Sequence, residues 1–87
     1  LGDVYKRQDL LREQLAQARI NGFAIDDGEI EPGLICVGAP IFGLDQTVVA
    51  AVSIAGPTFR MKEELDVMTR AVKATAANIS RLMGGRP

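Results

Sequence analysis

The sequence has no histidine, no tryptophan and a single cysteine, Cys36. Without histidine, neither the usual zinc ligand sets nor a Ser-His or Cys-His nucleophilic pair can be assembled from this chain. One cysteine cannot form an internal disulfide, and the absence of a recognisable signal peptide also favours a reducing, cytoplasmic location. We therefore expect no metal ion, no other cofactor and no enzyme activity.

Long apolar runs and an excess of one charge are also missing. Ten basic and eleven acidic residues give a formal net charge of −1, and the basic residues are scattered along the chain. Nucleic-acid binding normally needs clustered basic residues, so the chain itself is not expected to bind DNA. No apolar segment approaches the roughly 20 residues that span a bilayer, so no membrane contact is expected.

The composition that is present is that of a globular domain, with 47% hydrophobic and 24% charged residues in 87. This length fits one small domain or part of a larger one, and we expect the latter. Residues 1–8, LGDVYKRQ, have no clear periodicity and are interpreted as a non-native lead-in, with a native lead-in as the alternative.

An amphipathic helix is predicted from Asp9, as its N-cap, to Asn21. Its apolar stripe consists of Leu11, Leu15 and Ala18. Residues 23–25 then predict a short strand, followed by an acidic turn segment over 26–33. The four carboxylates of that segment form either a solvated loop or the frame of a ligand site, and their spacing does not fit a calcium-binding EF-hand.

The most informative stretch is Leu34–Pro57, which predicts two apolar strands joined by a four-residue turn at Gly43–Gln46, or by a two-residue loop within it. This register places Cys36 opposite Ser53 and Leu34 opposite Ala55. Alternation then collects an aliphatic core face and a face of small or weakly polar residues. The core face comprises Ile35, Val37, Ala39, Ile41, Val48, Ala50, Val52 and Ile54, and the other Leu34, Cys36, Gly38, Pro40, Phe42, Val49, Ala51, Ser53 and Ala55.

The small-residue face has two interpretations. Glycine and alanine leave volume unfilled and a buried serine needs a partner, so the face could be the floor of a small pocket. Small residues also allow a helix or another subunit to pack closely against a sheet. A loop of another length, or a bulge, would shift the register, and Pro40 must lie at an edge, a bulge or a non-hydrogen-bonded pair.

A long helix is predicted from Glu63 to about Met83, ended by Gly84-Gly85, with residues 85–87 as a tail. Its apolar stripe comprises Leu65, Met68, Val72, Thr75 or Ala76, Ile79, and Leu82 or Met83. Such a stripe is more often core or dimer surface than a cofactor site.

Four motifs stand in order along the chain: GFA, DDGE, GLICVGAPIF and AAVSIAGP. Together they resemble the C-terminal part of the effector-binding domain of IclR-type transcriptional regulators, over residues 9–84. The resemblance implies a GAF-like α/β (α+β) fold, a partial antiparallel sheet whose central hairpin packs against flanking helices. It also implies a regulator that binds operator DNA through an N-terminal winged helix-turn-helix and acts as a homodimer or homotetramer.

The same resemblance implies a small-molecule effector, either a small organic acid or an aromatic metabolite. Its ligand-binding positions correspond to Asp26, Leu34, Cys36, Ser53 and Ala55. Members that bind small hydroxy or keto acids often have serine at the position of Ala55, so its absence favours a less polar ligand. The alternative is a structural or oligomerisation module that has lost ligand binding. A third reading, Cys36 as a catalytic nucleophile, lacks a histidine to activate the thiol.

Overall fold

Three antiparallel strands in the order β1-β2-β3 form the centre of the fold, with a helix against each face. The computed structural model describes residues 2–29 and 31–86, and side chains from residue 12 onward. The elements are α1 (Gly2–Asn21), β1 (Ala24–Asp27), β2 (Leu34–Phe42), β3 (Val48–Pro57), α2 (Thr58–Met61), a 3₁₀ turn (Lys62–Glu64) and α3 (Leu65–Leu82). The predicted α+β fold with a central hairpin is confirmed. No helix in the described ranges is long and apolar enough to cross a membrane.

The core lies between β2 and α3. Four alternate residues of β2 are buried on one face of the sheet, and Val37 has no exposed surface. Each buried valine or isoleucine side chain contributes about 1.5–3 kcal/mol, so this strand anchors the domain. The buried cluster comprises Ile35, Val37, Ala39, Ile41, Met61, Val72 and Ala76. Phe23, Ile25, Val52, Ile54, Leu65, Met68 and Ile79 are partly buried around it.

The stripe predicted for α3 is confirmed from Leu65 to Ile79, but it does not extend further. Leu82 is 86% exposed and Met83 is 51% exposed. The start of the helix also differs from the prediction. A short helix, α2, begins directly after Pro57, and a 3₁₀ turn joins it to α3. Proline fixes its own φ near −60°, which suits it to the residue before a helix, so helical structure begins at Thr58.

The predicted hairpin register is wrong by two positions. Cys36 pairs with Ala55 and Leu34 with Pro57, whereas Ser53 lies opposite Gly38. The connection is five residues long, closed by a hydrogen bond from the Gly43 N–H to the Thr47 carbonyl oxygen at 2.9 Å. The extra loop residue shifts the pairing by one position, and a bulge in β3 shifts it by one more.

The two shifts together leave the predicted faces intact over most of β3, because side chains alternate with a period of two. Val48, before the bulge, is the exception. It pairs with Phe42 and lies on the small-residue face, not on the core face as predicted. Ala50 points to the core side of the sheet but is exposed. The bulge residue between them is Val49, which is 51% exposed.

Pro40 lies at an edge, one of the three positions predicted for it. β1 pairs with β2 only from Ile35 to Gly38, so no strand neighbours that side of β2 beyond Gly38. The N–H of Phe42, two residues further on and therefore on the same side, donates to the Ser80 hydroxyl at 3.0 Å. The missing N–H of Pro40 thus falls where the sheet has no partner strand.

Helix α1 begins earlier than predicted. Its backbone is helical from Gly2 to Asn21, so Asp9 lies inside the helix and is not its N-cap. No proline interrupts residues 2–21, and lysine, arginine and glutamine before Asp9 are good helix formers. The interpretation of residues 1–8 as a lead-in stays a prediction, and Leu1 lies outside the described residues. At its other end the helix stops at Gly22, whose φ is +82°.

Residues 84–86 fold back on the hairpin loop. Gly84 has a φ of +84°, and the Gly85 N–H donates to the Ser80 carbonyl oxygen at 2.8 Å, a left-handed helix end. The Arg86 N–H donates to the Gln46 Oε1 at 2.7 Å. The first two residues of the predicted tail are therefore held against the loop, while Pro87 lies outside the described residues.

Gly85→Ala tests this contact. A β-carbon at Gly85 would collide with the backbone of Phe42 and Gly43, which cannot move without displacing the strand end. We expect the free energy of unfolding to fall by about 1–3 kcal/mol, measured by urea denaturation. Gly38→Ala is the matched control, because its β-carbon would meet only ordinary contacts of 3.7 and 3.8 Å. Equal losses in both variants would contradict the close approach.

Candidate functional site

The small-residue face of the sheet carries two rows of side chains that cross all three strands. One row consists of Asp26, Cys36 and Ala55, and the next of Ala24, Gly38 and Ser53. Neighbouring strands lie about 4.8 Å apart, and successive rows on one face about 7 Å apart. The predicted site residues on β1, β2 and β3 therefore share one surface.

A cavity of about 310 Å³ opens on this surface. Small-molecule sites begin at roughly this size. Four of the five sequence-predicted site residues line it, and Ala55 does not, although it lies on the same face. The lining comprises Gln14, Ala24, Asp26, Glu31, Leu34, Cys36, Gly38, Ala51 and Ser53.

Asp26 is the buried polar group of the cavity, with only 5% of its surface exposed. The acidic segment was predicted to be a turn, but Asp26 belongs to β1 and pairs with Cys36. Its Oδ1 accepts a hydrogen bond from the Glu29 N–H at 3.2 Å, across a turn in which Gly28 has a φ of +75°. No side chain among residues 12–29 and 31–86 donates to Oδ2.

Two other carboxylates of the acidic segment, Asp27 and Glu31, have different surroundings. Asp27, the next residue of β1, points away from the cavity, and its Oδ2 lies 3.7 Å from the Lys62 Nζ in an exposed ion pair. Exposed pairs of this kind contribute little to stability. Glu31 lines the cavity. The cavity therefore has two carboxylates and no lysine or arginine among its lining residues.

Cys36 and Ser53 do not face each other as predicted, but they remain diagonal neighbours on one face. A diagonal pair on adjacent antiparallel strands is about 7–8 Å apart, close enough for one small molecule to contact both. Cys36 is a half-buried free thiol, and Ser53 is exposed. The site can donate from a hydroxyl, accept at a carboxylate and offer a soft thiol surface.

Sequence reasoning missed Gln14 and Ala24 as lining residues, and it considered Glu31 only as one of the four carboxylates of the acidic segment. Gln14 comes from α1, four positions before the buried Ala18, so both lie on the side of the helix that faces the sheet. That spacing was the available signal. Gly38 and Ala51 were assigned to the small-residue face without being named as site residues. Ala24 shares a row with Gly38 and Ser53 only because of the pairing between β1 and β2.

Residues 5–81 match the family model described as bacterial transcriptional regulator IclR C-terminal. The chain is 42% identical over 77 residues to the HTH-type transcriptional regulator BhcR of Paracoccus denitrificans, covering 87% of the chain and 28% of that protein. The crystal structure of the Thermotoga maritima IclR superposes with a TM-score of 0.74 at 36% identity, covering 87% of this chain and 31% of that one.

The C-terminal domain of the E. coli transcriptional regulator KdgR is also similar, with a TM-score of 0.70 and 36% identity over 83% of the chain. The chain covers 44% of that domain structure. It therefore spans less than a third of the BhcR relative and less than half of a related isolated domain.

Two replacements of Asp26 test the hydrogen bond that its carboxylate accepts from the Glu29 N–H. Asp26→Ala removes the acceptor of the Glu29 N–H, and we expect a loss of about 1–2 kcal/mol in the free energy of unfolding. Asp26→Asn keeps an oxygen at that position and should lose less than about 1 kcal/mol. Urea denaturation measures both, and hydrogen exchange at the Glu29 amide should accelerate only in the alanine variant. Equal exchange rates in the two variants would contradict the assigned bond.

Proposed function

The chain belongs to the IclR family of bacterial transcriptional regulators, and we propose that it supplies one wall of the cavity in which such a regulator binds its small-molecule effector. The membership rests on the family match over residues 5–81, and it makes the chain part of a regulator and not of an enzyme. The fold supports the same assignment, because the related structures include a regulator's C-terminal domain.

The proposal depends on the composition of the cavity beside Asp26. A cavity of about 310 Å³ brings together a buried carboxylate and an accessible hydroxyl on a floor of small side chains. Asp26, Leu34, Cys36 and Ser53 were each selected from sequence, and all four line that cavity. Alternative uses of a small-residue face, such as close helix packing, would not require a buried aspartate whose second oxygen is available.

The regulatory step follows from linkage. An effector shifts a regulator between arrangements that bind operator DNA differently only if its affinity differs between those arrangements. In this proposal the operator is bound by an N-terminal winged helix-turn-helix of the intact protein, which works in the cytoplasm as a homodimer or homotetramer. The chain contributes contacts to the effector and none to DNA.

The effector is proposed to be a small organic acid or an aromatic metabolite. Ser53 donates to a ligand oxygen, and Asp26 accepts from a ligand hydroxyl. Ala55 provides no second hydroxyl, and it lies in the same row as Asp26. A compact dianion would gain few donors here and would lie near two carboxylates, so the less polar members of this class fit better.

The second candidate function is a packing or oligomerisation module that no longer binds a ligand. One observation favours it: Ala51, Ser53 and Ala55 on β3 are all exposed. A contiguous strip of small residues on a strand allows close approach of another layer of structure. The two functions differ in what a bulky side chain on the strip would do.

The first prediction from this proposal concerns the intact regulator. Titration with small organic acids and aromatic metabolites in a calorimeter, paired with operator-binding measurements, should identify a compound that changes operator affinity by about 5–150-fold, the usual range of allosteric coupling. A folded regulator whose operator affinity responds to no member of the panel would contradict effector sensing.

Ser53→Leu distinguishes the two functions. If β3 lines an effector cavity, the variant should remain folded and oligomeric while effector affinity falls at least tenfold, because leucine fills the cavity. If the strip packs against protein, the variant should lose thermal stability or change its oligomeric state. Ser53→Ala is the control, because it removes the hydroxyl without adding a larger side chain. The loss of one hydrogen bond in this variant should weaken effector binding by about 2–13-fold. Size-exclusion chromatography, thermal unfolding and calorimetry provide the readouts.

A further inference from the structure

A second, smaller recess lies beside the effector cavity, between α1 and the sheet. Its volume is about 130 Å³, close to the roughly 150 Å³ of an apolar protein cavity that holds a benzene molecule. The lining comprises Gln14, Leu15, Ala18, Ala24, Gly38, Ala39, Pro40, Val48 and Ala51. Gln14 is the sole polar side chain among them, so the recess suits a hydrocarbon group.

The recess and the effector cavity adjoin each other. Gln14, Ala24, Gly38 and Ala51 line both, with Gln14 above from α1 and the three small residues forming the floor. None of these floor residues carries a side chain longer than a methyl group, so nothing on the sheet side separates the two spaces. The direction from one to the other runs along β2, from Cys36 towards Pro40, a span of about 14 Å.

The effector cavity has two charged lining residues, both acidic and neither shared with the recess. Asp26 and Glu31 line that cavity, no cationic side chain does, and the Asp26 Oδ2 receives no hydrogen bond from the described side chains. A ligand group next to Asp26 must therefore donate a hydrogen bond, and a carboxylate there would repel both residues. A hydroxyl satisfies this requirement without adding charge.

We infer that the effector is an uncharged, hydroxyl-bearing molecule with an apolar arm, bound with its hydroxyl at Asp26 and its arm in the recess under α1. The inference rests on the proposed effector function and narrows the class of ligand. Ala51 and Leu15 then determine specificity by setting the length of arm that the recess accepts, one from the sheet and one from the helix.

A homologous series of probes tests this arrangement in the intact regulator. Phenol and its 4-methyl, 4-ethyl, 4-propyl and 4-butyl derivatives place a hydroxyl at one end and lengthen the arm by one carbon at a time. Affinity, measured by calorimetry, should rise about two- to fourfold per carbon as each methylene leaves water. Ala51→Leu fills the recess, so it should remove this rise with arm length, whatever it does to the affinity for phenol itself, because Ala51 also lines the effector cavity.

Ala50→Leu is the matched control, since it makes the same change one residue away on the opposite face of β3 and should preserve the rise. Leu15→Phe fills the recess from α1 and provides a second test if Ala51→Leu does not fold. Asp26→Asn, which can no longer accept at both oxygens, should weaken every phenol by a similar factor.

A rise with arm length that persists in both Ala51→Leu and Leu15→Phe would overturn the inference. So would a regulator that binds none of the phenols. If another compound in the effector panel changes operator affinity in that case, the proposed effector function stays supported and only the inference about the apolar arm fails. If no compound in the panel changes operator affinity, the effector function and the inference both fail.

Discussion

Packing of one face of β2 against α3 is the interaction on which the rest of the structure depends. Ile35 and Val37 are almost completely enclosed by this contact, and the buried part of α3 supplies Val72 and Ala76 opposite them. A strand buried on one side has a fixed orientation, because a shift by one residue would turn every apolar side chain to the other face. The position of the second face of β2 follows from the same constraint.

That second face could not have been a second core of the same kind. Its central positions, Cys36 and Gly38, are too small to fill the space beneath α1, and the unfilled space is the cavity with its adjoining recess. β1 then places Asp26 at the margin of this surface, where the turn at Gly28 and the Glu29 N–H hold its carboxylate. A rigid core face and an underfilled opposite face thus arise from one strand, which gives a concave surface with a fixed backbone.

The ends of the strands are held by contacts distant in sequence. The Phe42 N–H donates a hydrogen bond to the Ser80 hydroxyl, and the Arg86 N–H donates one to the Gln46 side-chain oxygen. Gly85 lies against the backbone of Phe42 and Gly43. Since the hairpin loop has one left-handed non-glycine residue, Gln46 with a φ of +59°, its conformation needs such support. The five-residue loop and the bulge that set the register therefore lie in the region where the end of α3 meets the hairpin.

Sequence alone determined the alternation of β2, the apolar stripe of α3 from Leu65 to Ile79, and the division of the hairpin into two faces, since these depend on local periodicity. Four residues of the candidate site followed from the same pattern together with the family motifs. Sequence could not determine which residue of β3 lies opposite Cys36, where α1 begins, or that Gln14 lies over the floor of the cavity. Those features depend on the length of one loop, on a single extra residue in β3 and on the packing of elements far apart in the chain. The local sequence pattern is compatible with more than one choice for each of them. The tertiary structure decided them, because two registers that differ by two residues present the same faces of β3, and only the five-residue loop and the bulge distinguish between them.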